Sequence, residues 1–315
     1  MLSISVLKLT RSSLRRKLFG YMTLLALILA AALCAGLFLI GRINSPEEDT
    51  TKTLELQMNV FQTDMENLWR NVSVLGTHLS EDLSSIIDDS LHEQGLSFYD
   101  LKGNAAATEK LEESMIEPMC GYIRQTDCSG AFIILDTTLD TTPGSCSRSG
   151  IYIQKSNAQH IISDDLLFRG MADAGKRHNV MPHRKWAQEF NTTNIPEFKE
   201  FMTQASQPVY ASCRTTDILK LPGTSEKTIL MTVPVYGSNG ILYGLCGFSV
   251  NQSYFNSHHE QPSNLKSMAC LLTSGSRDPD TPIDADASLV SSAANGYCYV
   301  PPVPLSVHNA DRRLS

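Results

Sequence analysis

The sequence predicts an α+β fold in which a transmembrane helix and a long N-terminal helix lead into an antiparallel β-sheet. Three features of the 315-residue chain support this prediction. Residues 18–41 are almost entirely apolar, residues 54–79 repeat apolar side chains at helical spacing, and residues 228–250 contain two β-like runs joined by an Asn-Gly loop. Helical periodicity and strand periodicity in separate parts of one chain are typical of α+β proteins.

Charges on either side of the apolar segment favour one orientation in a membrane. About twenty apolar residues form a helix that crosses the ~30 Å hydrocarbon core of a bilayer. Five basic residues precede the segment, and residues 1–42 contain no acid. Because basic flanks stay in the cytoplasm, we expect residues 1–17 to be cytoplasmic, residues 18–41 to span the plasma membrane once, and the bulk to be extracytoplasmic. A signal peptide cleaved near the alanines at 30–32 is the alternative.

The part beyond Arg42 is acidic. It contains all 33 acidic residues and 20 of the 26 basic ones, which gives a net charge of about −13. Nucleic acids and anionic headgroups repel such a surface, so we expect no nucleic-acid partner. Seven cysteines lie in this part, so at least one stays unpaired if only intrachain disulfides form; several are expected to be buried thiols.

A heptad pattern follows the membrane segment. Its apolar residues alternate at spacings of four and three: Leu54, Met58, Phe61, Met65, Leu68, Val72, Leu75 and Leu79. This spacing predicts a stalk helix within residues 45–95. The apolar seam needs a partner surface, either a second copy of the chain in a homodimer or the domain that follows. A second helix is expected over residues 108–124, with Thr108 as its N-cap and Pro118 bending or interrupting it.

Strand signals dominate after this second helix. Four runs predict strands: residues 131–135, 151–153, 228–236 and 241–250. The last two flank Gly237-Ser238-Asn239-Gly240, a loop typical of an antiparallel hairpin. We therefore expect one sheet module over residues 100–260. Residues 261–315 include a strand-like run at 264–273 but are too few for an ordinary domain, so we interpret them as a partial second module or a tail.

The hairpin carries the most specific residues of the chain. They are Val233-Pro234-Val235-Tyr236, Gly240, Gly244, Gly247-Phe248-Ser249-Val250 and Tyr254-Phe255. A strand with Val-Pro-Val, a turn with Gly and a Gly-containing strand that enters a helix resemble the closing pattern of the extracytoplasmic Cache sensor family, over roughly residues 45–260. The resemblance implies a PAS-like sheet module, of the double-Cache type and truncated within its second module. Family members commonly have an acid near the position of Ser249.

The same resemblance implies a ligand site. Many Cache modules that bind amino acids have an Arg-x-Trp pair followed by a Tyr and an Asp, and this chain has Arg184-Lys185-Trp186, Tyr210 and Asp217. A guanidinium suits a carboxylate, an aromatic wall encloses the ligand, and an acid suits an ammonium group. Tyr152 is expected to line the same concave face of the sheet as these ligand-binding residues. The alternative is that Trp186 anchors the core and Arg184 is a surface charge.

Catalytic and metal chemistry have little support in the sequence. No P-loop, G-x-S-x-G or dinucleotide fingerprint is present. His178 and His183 lie five residues apart, which suits neither a helical nor a strand metal pair, and His258 and His259 are adjacent. The acidic run Asp280–Asp286 lacks the Gly and distal Glu of a calcium-binding EF-hand. We therefore expect no cofactor, no metal and no enzyme activity in this chain.

These expectations together describe a membrane-anchored sensor of a bacterial-type signal-transduction receptor. It would bind a small molecule, an amino acid or another carboxylate, and pass the signal through the membrane helix. Relatives feed a histidine kinase, a cyclic-dinucleotide enzyme, a chemoreceptor or a transcription regulator, and no such output module is found in this sequence. The alternatives are a cell-surface interaction or scaffold protein without a small-molecule ligand, and a secreted hydrolase whose site the spacing does not reveal.

Overall fold

The computed structural model describes residues 14–43, 46–156, 165–221, 226–259, 269–273 and 288–292. The chain divides into two compact units, residues 1–63 and residues 64–315. The first unit contains helix α1 (Leu14–Ile43) and the start of helix α2 (Pro46–Gln94). Within α1, Arg16–Phe38 is long and apolar enough to cross a membrane, judged by length and composition, and none of it is buried. The predicted span is therefore present as a helix.

Helix α2 is the predicted stalk helix, and in the second unit its apolar seam is buried. The buried seam residues are Met65, Leu68, Val72, Leu79, Leu83, Ile87 and Leu91. In the first unit, by contrast, Leu54 and Met58 are each 43% exposed. The seam residue Leu75 is half-exposed. The other seam residues from Met65 onward are covered within their own chain, so this part of the heptad pattern packs inside the chain.

Helix α3 (Ala105–Gln125) follows a short 3-10 turn at Phe98–Leu101. Its N-cap is Asn104, whose side chain accepts a hydrogen bond from the amide of Ala107 at 3.1 Å. The predicted cap, Thr108, is instead buried in the first turn, because the helix begins three residues earlier than the apolar periodicity suggests. Pro118 lies inside the helix without ending it.

Seven of the strands that follow α3 build one sheet. In chain order, the strands and α-helices described between residues 130 and 251 are β1 (Gly130–Leu135), β2 (Ser147–Arg148), β3 (Gly150–Lys155), β4 (Asp165–Arg169), α4 (Ala172–Arg177), β5 (Met181–Ala187), β6 (Phe190–Asn191), α5 (Phe198–Gln204), β7 (Arg214–Thr215), β8 (Thr228–Tyr236) and β9 (Leu242–Asn251). The sheet order is β5-β4-β3-β1-β9-β8-β7, and only β4 and β5 are parallel. The small strands β2 and β6 pair separately. The fold is therefore mixed α+β with an antiparallel-rich sheet, as predicted.

Helix α2 packs on one face of this sheet. Ser80 donates a hydrogen bond to the carbonyl of Pro234 at 2.6 Å, and Ser84 donates to that of Tyr236 at 2.5 Å. Gly76 permits this close approach, since a Cβ at that position would lie 3.1 Å from Val233 Cγ2. We call the opposite face of the sheet the outer face.

Beyond the sheet, helix α6 (Gln252–His258) leads to strands β10 (Ala269–Thr273) and β11 (Ser288–Ser292), which pair antiparallel. The Gln252 side chain makes two hydrogen bonds with the backbone of Val290, at 2.5 and 3.0 Å, and so joins α6 to β11. The strand expected at 264–273 is present over its second half, and its first half lies outside the described residues. The tail that begins at Tyr297 also lies outside them.

Candidate functional site

The outer face is covered by a cluster of apolar side chains. Because side chains alternate along a strand, Leu230 and Leu245 lie on the opposite face from Val233 and Phe248, which face α2. The cluster contains Phe132, Ile134, Tyr152, Phe168, Phe190, Ile195, Phe198, Phe201, Leu219, Leu221, Leu230 and Leu245. Helix α5 and the segments around it supply the side chains that lie over the strands.

A small polar group is embedded in this apolar surface. The Tyr152 hydroxyl donates to Ser249 Oγ at 3.2 Å and accepts from the Gln154 side-chain amide. Ser129 Oγ lies 3.1 Å from Ser249 Oγ and donates to the Ser249 carbonyl at 2.7 Å. All four side chains are at most 5% exposed. Burial raises the pKa of Tyr152 to about 12, so its phenol stays protonated and available as a donor at neutral pH.

Arg169 adds a buried positive charge beside this group. It is the register partner of Tyr152 across β3 and β4, and its residue is only 4% exposed. Its Nη1 donates to the carbonyl of Phe168 at 2.6 Å. Burial lowers the pKa of the Arg169 guanidinium, although an arginine remains charged over the physiological range. A buried guanidinium close to a phenol provides donors that suit an anion.

Two of the residues predicted for ligand binding lie on the edge strand β5. Arg184 is exposed, and Trp186 is half-buried with its indole Nε1 donating to the Gly170 carbonyl at 2.8 Å. Between them and Tyr152 lies Phe168, whose ring is 5.8 Å from that of Tyr152 and stacks on His183 at 4.3 Å. The structure thus brings Tyr152 and β5 to the same end of the sheet.

The other two predicted residues lie at the opposite end. Asp217 is exposed just after β7, and its amide donates to Glu197 Oε1 at 3.0 Å. Tyr210 belongs to a 3-10 helix, Val209–Ser212, and its side chain lies outside the described part. Strands β5 and β7 are the two edges of the sheet, separated by six inter-strand spacings or roughly 29 Å along the sheet. Arg184 and Asp217 are therefore not neighbours in the sheet.

The cysteines offer no activated nucleophile near this group. Cys128, the residue before Ser129, is fully buried, and burial raises the pKa of its thiol to about 12. A thiol in such surroundings is inert at neutral pH, because the thiolate is the reactive form. The seven described cysteines are all free, and Cys298 lies outside the described residues. Within the described part of the chain, no three His, Cys, Asp or Glu side chains are arranged to hold a metal ion.

Comparison with known proteins gives no relative. No family model, no curated protein and no solved structure matches the chain.

Sequence reasoning missed Gln154 and Arg169 as members of this group. Gln154 has a usable signal, since it lies two residues after Tyr152 in a strand and therefore on the same face. Ser249 was noted only as a departure from an acidic position. Arg169 has no local signal, because its place beside Tyr152 depends on the irregular register between β3 and β4.

Proposed function

We propose that this chain is a membrane-anchored sensor module with a PAS-like, Cache-type sheet, whose ligand is a small carboxylate such as an amino acid. The N-terminus lies in the cytoplasm and the sheet lies outside the cell. The ligand binds on the outer face near Tyr152 and Arg169. Catalysis is not part of the proposed function.

The observation that supports this function is the unequal use of the two sheet faces. One face is packed against α2, which runs as one helix from Pro46 to Gln94. The other carries Tyr152 among aromatic side chains. Gln154 donates a hydrogen bond to the Tyr152 hydroxyl, and Arg169 is the register partner of Tyr152 on β4. Ligand sites typically combine apolar walls with a few convergent polar groups, and a carboxylate gains most from charged donors.

The proposed signal passes through α2. A ligand that favours one packing of the sheet against α2 shifts the population of that packing, and the helix carries the change toward its N-terminal part. In that part Leu54 and Met58 are exposed, one helical turn apart. We propose that they contact the same residues of a second copy, so that the sensor works as a homodimer.

The test is a thermal-shift screen of the full-length chain in detergent against amino acids and short carboxylates. We expect one ligand class to raise the melting temperature saturably, with about 2.7 kcal/mol of stabilisation at a hundred times its Kd. Tyr152→Phe should weaken that ligand at least tenfold, since it removes only the hydroxyl. Tyr99→Phe is the matched control, because Tyr99 is 71% exposed. Flat melting temperatures across the library, in a sample that melts cooperatively, would contradict the proposal.

The proposed topology has its own test. Cys146 is half-exposed in the second unit, and a membrane-impermeant maleimide added to intact cells should label it. Labelling that requires the cells to be opened would place this unit in the cytoplasm and remove the basis for an extracytoplasmic sensor.

A second function, a cell-surface interaction protein without a small-molecule ligand, is favoured by one observation. The outer face is covered by twelve buried side chains of its own chain, as expected for a filled interior. In that case the thermal-shift screen stays flat, and the stability of the purified chain changes only when a protein partner is added.

A further inference from the structure

A groove separates α2 from α3 on the helix-covered side of the sheet. Its volume is about 370 Å³, and its lining residues are Leu75, His78, Asp82, Pro118, Gly121, Tyr122 and Gln125. This volume is at the small end of the range for ligand pockets, roughly 300–1,000 Å³. The groove shares no residue with the outer-face group around Tyr152.

The sequence of α3 creates the groove by omitting a side chain. Gly121 has no Cβ, and a Cβ built there would have no other atom within 4 Å. Pro118 lies one turn earlier and has no amide hydrogen, so the carbonyl of Ser114 lacks its regular helical donor. Leu75 and the ring of Tyr122 supply apolar walls on either side.

Asp82 and Gln125, two polar residues that line the groove, each have one oxygen that can accept a further hydrogen bond. The Tyr122 hydroxyl donates to Asp82 Oδ2 at 2.6 Å, which fixes the carboxylate. The Gln125 side-chain amide donates to the Gly121 carbonyl at 3.3 Å, which fixes the orientation of that side chain. Among the described residues, none donates to Asp82 Oδ1 or Gln125 Oε1.

The local charge is negative. Burial raises the pKa of the Tyr122 phenol most, and its hydrogen bond to Asp82 and the charges of Asp82 and Glu81 raise it further, so it remains a donor to Asp82. His78 at the rim has its Nδ1 3.5 Å from Glu81 Oε2. An anion entering the groove would meet the Asp82 carboxylate, and the lining residues include neither a lysine nor an arginine.

We propose that this groove is a binding site for a small organic cation, a primary ammonium attached to a compact apolar body. The ammonium donates to Asp82 Oδ1 and Gln125 Oε1, and the apolar body contacts Leu75, Pro118 and the Tyr122 ring. Hydrogen bonds between charged partners are roughly twice as strong as neutral ones, and an aromatic face adds attraction for a cation.

The experiment is isothermal titration of the full-length chain in detergent with benzylammonium chloride, benzyl alcohol and sodium benzoate at matched ionic strength. We expect benzylammonium to bind at least tenfold more tightly than benzyl alcohol, and benzoate not to bind. Asp82→Asn should weaken benzylammonium at least tenfold, since it removes the charge and keeps an acceptor for Tyr122. Asp89→Asn, an exposed acid two turns further along α2, should change the affinity less than twofold.

Filling the groove provides a test that removes no interaction. Gly121→Leu should abolish benzylammonium binding. Its melting curve should stay cooperative, because a Cβ at position 121 has free space. If the leucine side chain unfolds the chain, the smaller variant Gly121→Ala is used for the same test. Equal binding of benzyl alcohol, no binding of benzylammonium by the wild type, or unchanged binding by the filled variant would each overturn the proposal. A change of oligomeric state in the filled variant would also overturn it, since a second copy would then occupy the groove.

Discussion

Glu112 is a carboxyl group that should make the stability of this protein depend on pH. It lies on α3 and is only 1% exposed. Its Oε2 accepts a hydrogen bond from the amide of Met171 at 2.5 Å, and the amide of Gly150 also donates to it. Burial raises the pKa of Glu112 from its usual 4.5 to about 8, and the nearby carboxylates of Glu189 and Glu109 act in the same direction.

The sign and size of the effect follow from proton linkage. With a raised pKa, the folded protein keeps the Glu112 proton at pH values where the unfolded chain has released it. The stabilisation is therefore complete below about pH 4.5 and is lost as the pH rises to about 8. One pKa unit corresponds to about 1.4 kcal/mol, so the free energy of unfolding should fall by about 5 kcal/mol across this window through Glu112 alone.

The assay is urea unfolding of the full-length chain in detergent at pH 5 and pH 8, followed by the fluorescence of Trp69 and Trp186. Glu112→Gln cannot ionise and keeps an oxygen acceptor for Met171, so its free energy of unfolding should lack most of the decline seen in the wild type. Glu113→Gln is the neighbouring control. Arg177 binds the Glu113 carboxylate at 2.7 and 2.8 Å and lowers its pKa, so this variant should keep the wild-type decline.

An equal loss of unfolding free energy by the wild type and Glu112→Gln between pH 5 and pH 8 would refute the raised pKa of Glu112. That result would mean that Glu112 keeps its ordinary pKa in the folded protein, because the hydrogen bonds from the two backbone amides offset the effect of burial.

Two further predictions concern the hairpin. The Tyr243 hydroxyl donates to Asp88 Oδ1 at 2.5 Å, so in Tyr243→Phe the Asp88 carboxylate loses a hydrogen-bond partner. The free energy of unfolding in urea titrations should fall by about 1–3 kcal/mol. An unchanged value would show that this hydrogen bond contributes nothing to stability. Gly247→Ala should prevent cooperative folding, because the φ angle of Gly247 is +152° and a Cβ there would lie 1.8 Å from the Met231 carbonyl oxygen. A normal melting curve for this variant would contradict the close approach of β8 and β9.

The elements predicted correctly have strong local signals. Helix α2 has a long 3–4 repeat, and β8 and β9 are apolar runs joined by an Asn-Gly loop, so each is specified by residues close in sequence. Strands β4 and β5 have no such signal. β5 reads Met-Pro-His-Arg-Lys-Trp-Ala, and all seven residues are half-exposed or exposed. It is a strand because it pairs with β4 at the sheet edge. Pairing of this kind is set by tertiary structure and not by local preference.

The same distinction applies to the outer-face group. Tyr152 is expected there from the sequence. Gln154 can be predicted as well, because residues two positions apart in a strand lie on the same face. The contact of Tyr152 with Ser249 joins β3 to β9 across the intervening β1, through residues that are 97 positions apart. No periodicity in the sequence encodes that distance, so the group is visible only once the strand order is known.

The heptad seam shows how one pattern serves two surroundings along a single helix. The 3–4 spacing is uniform from Leu54 to Leu79, and it fits both a coiled coil and a helix packed on a sheet. The burial is not uniform. Leu54 and Met58 are exposed, whereas Phe61 and the later seam residues are buried, apart from the half-exposed Leu75. In the proposed homodimer, a contact through the exposed part of the seam would therefore use Leu54 and Met58. Both parts belong to one continuous helix, α2, which is why the proposed sensor would use this helix to connect ligand binding with dimer contact.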